Sequence, residues 1–233
     1  MKSVFDPTVE TREVVMKCPR AGDLLKNYRI DYVRNGSQPI GEAIKERNLN
    51  SSDVMNELNT LYEKNRDHQR GMTKWEKQKV NALIQYIIDA HHSYLYMVLP
   101  KLQSMITTIF NKHVGIHPEL SHVHYLFSIL KIELEQHILI EEELIFPKIL
   151  AYEKKPTLNA LIDIKEFVED LKREHEHIGQ FLKDLRELTN DYKAPEDASE
   201  TYRLAYVKLD ELESDLFQHL NLENNVLFPR VLG

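Results

Sequence analysis

A chain of 233 residues with 30 Lys and Arg against 37 Asp and Glu carries a net charge of -7, which argues against a nucleic-acid partner. Its single cysteine excludes an internal disulfide framework and any Cys-rich metal site, and 7 Gly with 9 Pro are too few for a turn-rich all-β chain. No apolar run approaches the ~18 residues that span a bilayer and the N-terminus has no apolar signal region, so a cytoplasmic, helical protein without membrane attachment is expected.

In chain order, residues 1–63 read as a small helical domain. Its short helices are broken at Cys18-Pro19-Arg20, at Asn35-Gly36 and at 48–51, and spacing such as Leu24, Leu25, Tyr28 marks their inner sides. Residues 64–73 are polar with no apolar stripe and read as a linker. Thr73 followed by Glu76 fits a capping box that opens the next helix.

Residues 74–233 then hold four long amphipathic segments, at about 74–112, 118–153, 157–191 and 196–230. Gly115 and Pro118, Pro156, and Pro195 mark the breaks, each proline placed to open the following helix. Long helices with short connections pack most simply as an up-down-up-down four-helix bundle, so the fold class is all-α.

The second and fourth segments repeat each other. Residues 136–150 (QHILIEEELIFPKIL) align without gaps with 218–232 (QHLNLENNVLFPRVL), six of fifteen positions being identical. Nearly the same offset relates His92 to His175, so the bundle reads as two related hairpins.

Polar residues interrupt the apolar stripes at matching places. In the third segment Ile164, Val168, Leu171, Ile178 and Leu182 step by three and four with one gap, which His175 fills, while His177 falls off the stripe. The fourth segment runs Leu209, Leu212, Leu216, His219, Glu223, Val226. The second is noisier: Leu126, Leu130, Leu134, His137, Glu141, Leu144. In the first, periodicity supports His91 and His92 equally, and the repeat favours His92.

A carboxylate inside a bundle is costly unless it is paired or bound to a metal. Side chains at i and i+4 project from one helix face, so each His-x-x-x-Glu pair can converge on one point. Four inward His and two inward Glu exceed what one tetrahedral zinc uses. They suit two adjacent ions such as iron or manganese, with bridging carboxylates. A single inward His is commonly a satisfied core residue; the repeated set of six is what lifts this pattern above that reading. Glu142 and Glu143 read as solvated face, His68, His113, His117, His122 and His124 as solvated surface, and Trp75, Tyr94 and Tyr96 as packing.

With these residues placed, the chain resembles the hemerythrin-like di-iron proteins, and more narrowly the bacterial iron–sulfur cluster repair family. The resemblance rests on Asp89, His91 and His92 with Leu99-Pro100, on His137, Glu141, Glu142 and Phe146-Pro147, on Glu174-His175-Glu176, and on His219, Leu222, Glu223, Asn224 and Phe228-Pro229. It implies two non-haem iron ions in an oxo- or hydroxo-bridged centre. His92 and His137 would serve one iron, His175 and His219 the other, with Glu141 and Glu223 bridging. Oxygen-carrying hemerythrins have a further histidine one turn after the one on their third helix; here that position is Gly179. The N-terminal stretch Cys18 to Ala21, with Leu25, Tyr28, Ile30, Asp31, Tyr32, Gly36 and Ala43, resembles the small domain that precedes the bundle in the repair family. Its usual cysteine pair is replaced by Val33 and Arg34.

The function so implied is support for repair of iron–sulfur clusters damaged by nitric oxide or oxidative stress, by iron donation or by chemistry on NO or peroxide. Damaged iron–sulfur proteins would be clients, NO, O2 or peroxide small ligands, and a homodimer a further expected partner state. The alternatives are a hemerythrin-like O2 or NO sensor and a di-iron nitric oxide reductase.

Overall fold

The computed structural model describes residues 4–18, 20–32, 36–64, 75 and 78–233. The capping box at Thr73 and Glu76, nearly all of the expected linker, and Val33 and Arg34 lie outside the described residues. Among the described residues there is no strand beyond an isolated antiparallel bridge between Glu10 and Pro39, and no helix is long and apolar enough to cross a membrane. They fall into two compact units, one of Met1–Leu83 with Phe217–Gly233 and one of Ile84–Leu216.

In the first unit, α1 (Thr11–Lys17), α2 (Ala21–Asn27), α3 (Ile40–Glu46) and α4 (Ser51–Lys64) are the short helices read from the sequence, broken where expected. Phe5, Val14, Cys18, Leu25, Ile40 and Leu58 are fully buried and form its core. Gly41 opens α3 directly against Pro7: a Cβ there would stand 2.9 Å from the Pro7 carbonyl oxygen, so a side chain would push the two backbones apart. The same unit contains α11 (Phe228–Leu232), whose Arg230 donates from its guanidinium to the carbonyls of Trp75 and Gln78, both at 2.6 Å.

The second unit holds the bundle. Helix α5 (Val80–Tyr86) passes through a π-helical segment, Ile87–His92, into α6 (Ser93–His113). Helix α7 (Leu120–Ile140) continues through Glu141–Ile145, also π-helical, into α8 (Phe146–Lys154). Then come α9 (Leu158–Leu188) and α10 (Glu200–Leu222), the latter continued by a third π-helical segment, Glu223–Leu227.

Side-chain pairs show how these helices run. Gln103 donates to Ser128 at 3.2 Å while Thr107, one turn later, meets His124, one turn earlier, at 3.1 Å. The His137–Glu174 and Lys148–Phe167 contacts give the same reversed order for α7–α8 against α9, as do His91–Asp215 and His113–Ser199 for the first helix against α10. Every neighbour is antiparallel, which is the expected up-down-up-down order. The core stripe of α9, from Ile164 to Leu185, is buried as read.

Two details differ from the sequence reading. The prolines do not occupy first helical turns. Pro156 precedes Thr157, whose hydroxyl caps α9 by accepting from the Ala160 N–H at 3.3 Å, and Pro118 and Pro195 lie in the loops. In α7 the buried residues are Val123 and Phe127 rather than Leu126, and beyond Glu141 the stripe slips by one: Leu144 is 39% exposed and Ile145 buried. The cause is the π-helical segment, in which one added residue turns the following side chains.

The loop after α9 is closed by a charged hub. Asn190, Asp191 and Tyr192 all take positive φ (49°, 59° and 55°), and Tyr192 is held there with the Arg186 guanidinium over its ring at 4.9 Å. The same guanidinium donates to Glu213 (3.0 Å from Nε), Asp191 and Asp210, joining α9 to α10.

Candidate metal centre

The three π-helical segments are built by the same local chemistry. The Phe146 N–H reaches back five residues to the Glu141 carbonyl, and the Phe228 N–H does the same to Glu223. In both cases the next residue, Pro147 or Pro229, has no N–H and cannot continue the ordinary i to i-4 ladder, so the turn is left free to widen. The Ser93 N–H makes the equivalent bond to the Ile88 carbonyl. Each segment has a residue of the expected site at one end: His92, Glu141 and Glu223.

All six expected residues, His92, His137, Glu141, His175, His219 and Glu223, are buried, none more than 1% exposed. Glu141 Oε2 lies 3.3 Å from His92 Nε2 and 3.4 Å from His137 Nε2. His137 Nε2 faces His175 Nε2 at 3.2 Å, and His219 Nε2 is 2.9 Å from Glu223 Oε1. On their other side two of the rings are tied to carboxylates: His92 Nδ1 donates to Glu142 at 2.8 Å and His137 Nδ1 to Glu174 at 2.9 Å. A neutral imidazole that donates from Nδ1 presents the lone pair of Nε2, so these two rings are held in the tautomer a metal needs.

Two overlapping groups of donor atoms result, the atoms of each group lying within 4.8 Å of one another. One comprises His92, Glu141, His219 and Glu223, the other His137, Glu141, His175 and Glu223. Both carboxylates belong to both groups, as bridging would require. The histidine pairing is a correction. His92 stands with His219 and His137 with His175, in place of His92 with His137 and His175 with His219. Helix register is the reason: His92 packs beside Glu142 and Phe146, beyond Glu141, whereas His175 packs at the level of His137, one turn before it.

The donor set fits cations of the expected kind. Six buried N and O donors, four imidazole and two carboxylate, exceed one tetrahedral site and suit two ions such as iron. His91 is buried as well, but its Nδ1 pairs with Asp215 at 2.9 Å and it joins neither group; His177 is exposed, as its place off the stripe implied. His113, His117 and His124 are half-buried and partnered rather than solvated. His117 bridges Glu119 and Asp197, and His124 stacks on Phe110. Glu142 and Glu174 had no role in the stripe reading. Both sit beside a stripe residue in sequence, and no periodicity signals a carboxylate that backs a histidine on the adjacent helix.

A family model described as the hemerythrin HHE cation binding domain matches residues 83–231, and a second, ScdA_N, a domain of unknown function, matches residues 9–62. The chain belongs to the hemerythrin HHE family, within the group whose curated members are iron–sulfur cluster repair proteins. Among those relatives, the iron–sulfur cluster repair protein ScdA of Staphylococcus epidermidis is 32% identical over 222 residues, covering 94% of this chain and 96% of that protein. ScdA of Staphylococcus haemolyticus is 30% identical over 218 residues, covering 94% and 95%. The iron–sulfur cluster repair protein YtfE of Yersinia pestis is 30% identical over 221 residues, covering 92% of each.

Proposed function

We propose that this chain is a cytoplasmic di-iron protein that supports repair of iron–sulfur clusters damaged by nitric oxide or oxidative stress. His92 and His219 hold one iron, His137 and His175 the other, and Glu141 and Glu223 are shared between them. The observation that carries the reading is the pair of overlapping buried groups with both carboxylates in common. The names of the relatives, all iron–sulfur cluster repair proteins, supply the biological direction.

When bound, such a pair of irons supplies redox-active positions open to NO, O2 or peroxide. The residues of the chain do the remainder. Glu142 and Glu174 orient His92 and His137 from behind, and Leu134, Ile138, Ile145 and Phe146 wall the donors of α7 from water. Residues 1–63 form the N-terminal domain and 74–233 the bundle, joined through 64–73; the family matches at 9–62 and 83–231 support that division. Cys18 is buried in the N-terminal core, so the domain acts without thiol chemistry. Clients are damaged iron–sulfur proteins, and a second copy of the chain is an expected partner.

The test is iron transfer. The iron-loaded full chain is incubated with a dehydratase whose cluster has been damaged by NO, and recovery of the client's activity is followed. Recovery that needs the loaded chain and is lost in His137→Ala supports the proposal; recovery equal to that from free ferrous iron refutes it.

A further inference from the structure

We infer that the two donor groups are unequal, and that the group built on His137 and His175 opens first and gives up its iron. The inference rests on the two-iron reading above. Each group has one histidine clamped from behind by a carboxylate of the adjacent helix, and the two clamps differ. Glu142, behind His92, is 25% exposed; Glu174, behind His137, is 43% exposed. Water therefore competes better for the Glu174 clamp, and a hydrogen bond open to solvent holds a ring less firmly than a sheltered one.

The surroundings of the two rings point the same way. His92 lies against Phe146, ring centroids 5.8 Å apart and planes within 15°, and both residues are buried. That stack resists rotation of the imidazole. His137 has no such plate in the described contacts; its ring meets His175 edge-on at 67°. One turn after His175, α9 carries Gly179, buried and without a side chain to fill the space beside that group. Partners behind a ligating histidine commonly change metal affinity 10- to 100-fold, so a difference between clamps converts directly into a difference in retention. Glu142 and Glu174 are accordingly positioning residues, and Glu174 is the one through which release is set.

The experiment loads the full chain with ferrous iron and follows capture by excess ferrozine by absorbance. Wild type is expected to release in two phases of equal amplitude. Glu174→Gln should speed the fast phase about tenfold or more and leave the slow one, whereas Glu142→Gln should speed the slow phase. Glu174→Asp, which keeps the charge, should restore part of the wild-type rate, and Glu143→Gln should change neither phase. Hyperfine-shifted imidazole N–H resonances supply a readout that a loss of general stability does not mimic: each Gln variant should move one of them. One release rate for both irons in wild type overturns the order of opening, as does a Glu174→Gln effect on the slow phase alone or on neither. A wild-type chain that takes up no iron overturns the two-iron reading itself.

Discussion

His137 and His175 face each other through their Nε2 atoms at 3.2 Å, inside a bundle where both are buried. His137 donates from Nδ1 to Glu174, so in its neutral form Nε2 is an acceptor, aimed at another ring nitrogen and at the Glu141 carboxylate. Such a convergence of acceptors on adjacent helices is expensive unless a cation or a proton lies among them. Several measurable consequences attach to that arrangement and to the core around it.

Replacing His137 or His219 with Ala should remove most bound iron from a protein that otherwise carries two ions per chain. His177→Ala should not, because that side chain is exposed on the outer face of α9. Metal analysis of purified variants checks this, and full retention in both ligand variants would refute the assignment.

Stripping the iron should leave a helical but less stable bundle. Core stripes such as Val123–Phe127–Leu130–Leu134 and Ile164–Val168–Leu171 are buried independently of any ion, at roughly 25 cal/mol per Å² of apolar surface. Binding that favours the native state adds stability on top. Circular dichroism should show retained helix and a lower Tm after chelation; a random coil would contradict it.

Substituting the buried Cys18 by Ser should cost about 1–3 kcal/mol of stability in the N-terminal unit, through a hydroxyl placed in an apolar core, and leave repair activity intact. Urea unfolding and the iron-transfer assay separate the two effects. Loss of activity in a folded Cys18→Ser protein would assign the thiol a role.

Gly179→Leu should weaken azide or NO binding to the iron-loaded protein while the six donors remain, since a side chain would enter the space beside the His137–His175 group. Gly179→His should also reduce it, by offering a further ligand. Absorbance titration of wild type and both variants is the measurement, with iron content as the control. Equal affinity in all three would make Gly179 an ordinary packing residue.

Alkaline pH should unfold the bundle cooperatively with tyrosine ionisation. Burial, with Asp215 and Glu211 nearby, pushes the Tyr94 hydroxyl up to about 12, and burial also raises Tyr192, Tyr202 and Tyr206. The folded state therefore binds these protons more tightly than the unfolded chain, whose tyrosines titrate near ~10. This contribution is complete below ~10 and is lost as pH rises from there through about 12. Absorbance at 295 nm and circular dichroism should change together; free titration near ~10 with the helices intact would refute it.

Much of the site was legible from spacing. Steps of three and four locate one helix face, and a polar residue on that face must be buried, which selected His175, His219, Glu223, His137 and Glu141. The choice between His91 and His92 needed the repeat. Where the ladder widens, periodicity misled. Leu144 was placed inward because an unbroken 3.6-residue period was assumed, and the Phe-Pro step that loosens the turn was read only as part of a motif.

By itself the sequence determined the helical class, the four breaks, the doubled His-x-x-x-Glu and the six donors, because these depend on the period of a single helix. Which histidine stands with which, that Glu142 and Glu174 back their neighbours' rings, and that His91 turns to Asp215 were decided by the tertiary structure. Those relations depend on the axial register of antiparallel helices. A shift of one turn, ~5.4 Å, would exchange every partner while leaving each helix's own pattern unchanged.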